Sequence, residues 1–253
     1  MLAHHASATG LALDRVRLQE MRDAFLSAVS HELRTPLTAV VGFAETLQRM
    51  ESLSPDRRSF LLNRLVANAG RLERLLGDLL DVDRLSRGVL EPRYQPTDLA
   101  QLAARVVRET CVSARTVHVD ARPSVAEVDP AIIERVVENL LANAARHTPE
   151  GSRIWVRTWP EQDQVLIAVE DDGPGVPPGL RSAVFQPFYR GPSAPTHAPG
   201  VGIGLALVAR FAELHGGRVW VEERAGGGAS FRVALPAHRH NQRTPAQARV
   251  AAA

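Results

Sequence analysis

Glu91-Pro92-Arg93-Tyr94-Gln95-Pro96-Thr97 marks the point at which the pattern of the chain changes. Two prolines among polar residues suit neither a helix interior nor a central strand, so the stretch reads as a linker. Upstream of it, apolar residues recur every three or four positions, from Leu18 through Val29, Leu33 and Val40 to Leu47, the stripe of an amphipathic helix. Ser54-Pro55-Asp56 supplies an N-cap and a first-turn proline for a second helix, whose stripe runs from Phe60 or Leu61 through Leu65, Leu72 and Leu79 to Leu85 and stops at Gly88. One hairpin of two such helices cannot bury both stripes. Pairing with a second copy into a four-helix bundle does so.

Downstream, short apolar or alternating runs at 117–119, 154–159, 165–169, 219–221 and 231–235 read as strands. Helical patterns at about 98–109, 130–146 and 204–215 lie between them without regular alternation, which indicates an α+β layer and not a doubly wound parallel sheet. The expected protein is therefore multidomain: an all-α helical hairpin forming a dimeric four-helix bundle, then an α+β two-layer sandwich. The boundaries read as 1–14 for an N-terminal segment, 15–90 for the hairpin, 91–97 for the linker, 98–236 for the sandwich and 237–253 for a tail. That tail has no apolar period and is expected to be disordered, with His238 and His240 solvated.

Composition excludes several chemistries. All 30 basic residues among the 253 are arginine, so a P-loop lysine, the lysine of a serine/threonine/tyrosine kinase and a pyridoxal lysine are all absent. The net charge is +2 and the arginines are scattered, so no nucleic-acid partner is expected. A single cysteine, Cys111, excludes an internal disulfide. No apolar run reaches the ~18 to 20 residues of a membrane span, so this chain is expected to be cytoplasmic, a sensor or membrane region outside it remaining open.

Four constellations carry chemistry. In the first helix stands Ser30-His31-Glu32-Leu33-Arg34-Thr35-Pro36. A neutral imidazole is a competent nucleophile, Glu32 is adjacent to it, Thr35 shares its face one turn on, and Pro36 removes the N–H that would bond the Glu32 carbonyl. An exposed histidine beside a kinked helix fits the same residues. The second is Asn139-Leu140-Leu141-Ala142-Asn143-Ala144-Ala145-Arg146-His147, whose amides and cations fall three and four apart. Amide oxygens suit Mg²⁺ that also holds phosphates, and a plain amphipathic helix gives the same spacing. The third, Glu170-Asp171-Asp172-Gly173-Pro174-Gly175, follows an apolar strand. Its carboxylate can accept from an exocyclic amine while the glycines admit a ring, although Asp-Gly and Pro-Gly are also turn dipeptides. The fourth, Gly200-Val201-Gly202-Ile203-Gly204-Leu205, opens a helix whose first N–H groups are free for phosphate oxygens. Between the last two lie Phe185-Gln186-Pro187-Phe188-Tyr189-Arg190 and a proline-rich stretch long enough to be a lid.

Five ordered motifs, the Phe185–Arg190 segment included, closely resemble the H, N, first glycine, F and second glycine boxes of two-component sensor histidine kinases, over about residues 15–236. The resemblance implies a dimerisation and phosphoacceptor hairpin followed by an ATP-binding domain of the gyrase, mismatch-repair and heat-shock chaperone type, which needs no P-loop. It implies that His31 takes the γ-phosphoryl group with Glu32 as acid-base partner. It implies Mg²⁺ on Asn143, adenine on Asp171, Gly173 and Gly175, and an ATP pocket completed by Asn139, Arg146, His147, Arg190, Gly200, Gly202, Gly204 and Leu205. The partners implied are a second copy and a response-regulator receiver domain, with Thr35 in the spacing of a regulator phosphatase. Arg146 stands where the family commonly has lysine and Val201 where it often has threonine. A phosphatase-dominant protein and a nucleotide-binding scaffold without turnover are the competing readings.

Overall fold

The computed structural model describes residues 27, 29–49, 53–110, 115–189 and 202–238. The chain divides into two compact bodies, an α-helical one and an α/β one. In the first, α1 covers 29–49 and α2 covers Pro55–Ser86. Helix α1 continues through Pro36. The hydroxyls of Thr35 and Thr46 bond back to the carbonyls of His31 and Gly42, at 3.3 and 2.7 Å. Helix α2 starts as its sequence dictates: Ser54 Oγ accepts from the Arg57 N–H at 3.4 Å, Pro55 takes the first position and Asp56 the first turn. It ends where Gly88 adopts a φ of +64° and donates its N–H to the Leu85 carbonyl at 3.1 Å.

The stripe from Leu61 through Leu65, Leu72 and Leu79 to Leu85 is buried or half-buried. A second stripe, apolar but for Glu73 and not separated from the first by periodicity, stays exposed: Leu62, Val66, Ala69, Glu73, Leu76 and Leu80, spaced four and three. Helix α1 repeats the spacing with exposed Leu37, Val41, Ala44 and Gln48. Alternating steps of four and three are the seam of a coiled coil or bundle.

In the α/β body the five-stranded sheet has the order β2-β4-β5-β7-β6, made of Thr116–Ala121, Arg153–Glu161, Gln164–Asp171, Ala229–Pro236 and Arg218–Glu223. Only β2 with β4 is parallel. Helices α3 (Leu99–Glu109), α4 (Pro130–His147) and α5 (Gly204–Leu214) supply the second layer. Ile154 and Val156 on β4, Ile167 and Val169 on β5, and Phe231 and Val233 on β7 are buried against Ile133, Leu140, Leu207 and Phe211 of the helices.

Trp155, Arg157 and Trp159 alternate with that core on β4 and lie half-buried on the opposite face. The register places Trp155, Glu170, Ser230 and Glu222 in one row across four strands, and Arg157, Ala168, Arg232 and Trp220 in the next. Arginines lie over these indoles, Arg224 at 3.7 Å from the Trp155 centroid and Arg218 at 5.1 Å from that of Trp220.

A small second sheet pairs β1 (Gln95–Asp98) with β3 (Val125–Val128). Strand β1 therefore begins inside the stretch read as the 91–97 linker: its one proline, Pro96, is tolerated in an edge strand, and β3, about 30 positions downstream, supplies the partner. Asp98 caps α3, accepting from Ala100 and Ser124 N–H groups and from Gln101. Burial raises its pKa, but those donors outweigh it and hold the carboxyl below its ordinary value. Asp129 caps α4 and also accepts from the Arg93 N–H at 2.8 Å. Its own N–H donates to Nε2 of buried His215 at 3.1 Å, and the other ring nitrogen of His215 lies 2.7 Å from the Phe211 carbonyl. The tail begins in order, since the Ala237 N–H donates to the Asp163 carbonyl at 2.8 Å, while 239–253, with His240, lie outside the described residues.

Candidate phosphoacceptor and nucleotide sites

In the helical body His31 is exposed on α1. Glu32 turns toward α2, where Arg71 donates to its carboxylate at 2.7 Å with side-chain exposures of 34% and 12%. Thr35 spends its hydroxyl proton on the His31 carbonyl, which leaves its lone pairs as acceptors.

In the α/β body, strand alternation directs Asp171, the last residue of β5 and the partner of Ile154, toward the helical layer. Its carboxylate is buried, 4% exposed, and accepts the N–H of Gly173 at 2.9 Å and of Ala229 at 3.4 Å. Both fall on Oδ1, so Oδ2 makes no hydrogen bond among the described residues. Burial raises the Asp171 pKa above the usual carboxylate value; the two N–H groups and Arg224 oppose that rise and Asp172 adds to it.

The surrounding space admits only glycine. A Cβ on Gly173 would stand 2.8 Å from Thr148 Cγ2 and 2.9 Å from Asp171 Oδ1, and one on Gly175, at φ +73°, would meet the Gly228 carbonyl at 3.0 Å. Thr148 is itself fixed at the end of α4, its hydroxyl donating to the Ala144 carbonyl at 2.8 Å while Arg115 donates to Thr148 Oγ1 and O. Asn139 and Asn143 lie half-buried along α4, and their amides make no hydrogen bond among the described residues. A Cβ on Gly204 would stand 2.9 Å from Asn139 Oδ1, so the start of α5 meets this face of α4. Gly202 has a φ of +74°, and Leu205 is half-buried in the first turn of α5. Arg146 and His147 are exposed on the last turn of α4. Although the residue as a whole is exposed, the protein packed around its ring, and then the Arg146 charge, lower the His147 pKa.

The structure thus brings Asp171, Gly173 and Gly175 beside the end of α4, and Asn139 beside Gly204. Arg190, Gly200 and the expected lid lie outside the described residues. Among the described residues no three His, Cys, Asp or Glu side chains cluster as metal ligands. The donor set is instead a lone amide oxygen, which fits Mg²⁺ that takes its remaining ligands from phosphates and water. Sequence reasoning missed Gly228 and Ala229, although the run Gly226-Gly227-Gly228 ahead of a strand was the signal available. A Cβ on Gly228 would fall 1.9 Å from the Asp171 carbonyl oxygen. It also missed Arg71, for which no motif exists.

Comparison with known proteins adds an independent line. Residues 21–88 match the His Kinase A phospho-acceptor domain, and residues 128–239 match the histidine kinase-, DNA gyrase B- and HSP90-like ATPase domain. The sensor histidine kinase TmoS of Ectopseudomonas mendocina is 36% identical over 235 residues, 88% of this chain and 24% of that protein. The probable sensor histidine kinase TcrY of Mycobacterium tuberculosis is 35% identical over 84% of this chain and 45% of its own length. The structure of full-length ShkA in complex with AMPPNP is similar at a TM-score of 0.60 and 27% identity, covering 83% of this chain and 45% of that one. The chain spans about a quarter of the length of the first of these curated relatives and under half of the second. No helix among the described residues is long and apolar enough to cross a membrane.

Proposed function

We propose, because this chain belongs to the two-component sensor histidine kinases, that it transfers the γ-phosphoryl group of Mg-ATP to His31 and passes it to an aspartate of a response-regulator receiver domain. One observation carries the nucleotide half of the reading: Asp171 is buried with both backbone donors on Oδ1, and Oδ2 is left for a donor from outside. The exocyclic amine of adenine is such a donor, and the glycine-only wall at 173 and 175 gives the base a flat surface. Asn143 would hold Mg²⁺, which neutralises phosphate charge, while Asn139, Arg146, His147 and the start of α5 line the same pocket. That ATP serves here is supported by the match to the ATPase domain.

At His31 one ring nitrogen attacks phosphorus as the bond to the ADP oxygen breaks, and the proton on the other nitrogen is the one Glu32 would take. Glu32 must leave Arg71 to reach it, or the pair must move together. The exposed steps of four and three on α1 and α2 support a homodimer in which a second copy covers Leu62, Val66, Leu76 and Leu80. The receiver domain as partner follows from family membership.

Labelling with γ-phosphate-tagged ATP tests this reading. The label should be lost in acid, survive base, and vanish in His31→Gln with ADP binding intact; acid-stable label on serine or threonine overturns it. The phosphatase reading turns on Thr35, whose lone pairs are free to orient water toward an aspartyl phosphate. Thr35→Ala should then slow regulator dephosphorylation and spare His31 labelling. A parallel fall in both rates would mean that the observed bond to the His31 carbonyl is its whole role.

A further inference from the structure

One of the two N–H groups that orient Asp171 belongs to Ala229, which follows three glycines. Gly226, Gly227 and Gly228 have φ values of +94°, +92° and +101°. No run of residues has more backbone freedom, so the position of the Ala229 N–H depends on what holds the turn from outside. Arg224 holds it at three points. Its N–H donates to the Gly228 carbonyl at 3.2 Å, its carbonyl accepts the Gly227 N–H at 3.0 Å, and its guanidinium Nη1 donates to the Gly227 carbonyl at 3.2 Å.

The guanidinium is itself held. It stacks 3.7 Å from the Trp155 centroid, and its buried Nε, which makes no hydrogen bond among the described residues, faces the charge of the Glu170 carboxylate at 4.0 Å. Glu170 is buried and accepts from Ser230 Oγ at 3.0 Å. Trp155 and Glu170 are register partners on the outer face of the sheet, one position before the Ile154–Asp171 pair. The Arg224 side chain is only 17% exposed.

We infer that Arg224 is a positioning residue for nucleotide binding: clamped by Trp155 and Glu170 on the outer face of the sheet, it braces the 226–228 turn so that Gly228 and the Ala229 N–H fix the Asp171 carboxylate. The inference rests on Asp171 being the adenine acceptor. Stacking needs the flat guanidinium, so a lysine keeps the charge and loses the brace.

The test uses the full chain and ADP, with affinity measured by calorimetry on Arg224→Ala, Arg224→Lys and Asp171→Asn. Arg224→Ala should weaken ADP about tenfold, and Arg224→Lys about threefold or more. Both should raise the KM for ATP while leaving the labelling rate at saturating ATP within about twofold of the parent. A general loss of structure would instead lower that rate together with the melting temperature. If Arg224→Ala misfolds, Arg224→Lys decides. Parent-like ADP affinity in the folded Arg224 variants, with ADP lost in Asp171→Asn, overturns the brace. Parent-like affinity in Asp171→Asn overturns the adenine assignment, and the brace falls with it.

Discussion

The 32-residue helix α2 buries two side chains, Leu61 and Asp81, whereas the 18-residue α4 buries seven. Both are amphipathic, and the difference lies in what each is given to pack against. Helix α4 lies against β5 and α5 in a core completed by its own body. Helix α2 has α1 on one side and leaves a heptad row, apolar except at Glu73, exposed on another. The α/β body thus has the means to fold alone, whereas in the dimer proposed above the hairpin's stability would depend on the concentration of a second copy.

Gly228→Ala strikes the self-sufficient side hardest. The added methyl collides with the Asp171 carbonyl at a φ that L residues avoid, so we expect nucleotide binding to be lost and the α/β body to be destabilised by about 2–4 kcal/mol. Calorimetry with ADP and a thermal melt check this, and the oligomeric state should not change. Leu76→Asp with Leu80→Asp is the converse experiment. Each leucine that a second copy would cover is worth about 2–3 kcal/mol, so sedimentation should show monomers while ADP affinity holds. If the doubly substituted chain stays dimeric, the exposed row is not the interface.

The smallest effect is a separation of function from fold on acidification. The Asp171 pKa is raised by burial, so as pH falls its carboxylate is neutralised before ordinary carboxyls are, and ADP affinity should fall with it. The same shift works the other way on stability. Between the unfolded and folded pKa values the folded state binds the extra proton, so this group's contribution to stability improves as pH falls. Asp98 and Asp172 have the opposite sign: hydrogen bonds outweigh burial and lower their pKa values, so the stability they add is lost only at lower pH. ADP titrations beside circular dichroism, from neutral pH downward, should show binding fail first. Simultaneous loss would refute the assignment of Asp171.

Much of this was legible in the sequence because it depends on local period. The alternation from Ile154 to Trp159 and the stripe of α4 define their elements without help. Strands β1 and β3, four residues each, were not legible: Gln95-Pro96-Thr97-Asp98 has no apolar alternation, and only β3 makes it a strand. The second stripe of α2 escaped because leucine occupies both faces, and periodicity alone does not say which neighbour each face meets. In the proposed nucleotide site the motif residues were visible, whereas Gly228 and Ala229 reach Asp171 only through the register of β5 with β7, and Arg224 only through that of β6 with β7.

His215 leads to a different kind of measurement. Because Nε2 faces the N–H of Asp129 it must accept, so Nδ1 carries the hydrogen and gives it to the Phe211 carbonyl; the tautomer is dictated by the backbone at both ends. That ring hydrogen is closed off from water while the last turn of α5 stays docked against the start of α4. Its exchange with deuterium is therefore a clock for the opening of that junction, readable from one imidazole nitrogen resonance without touching either functional site.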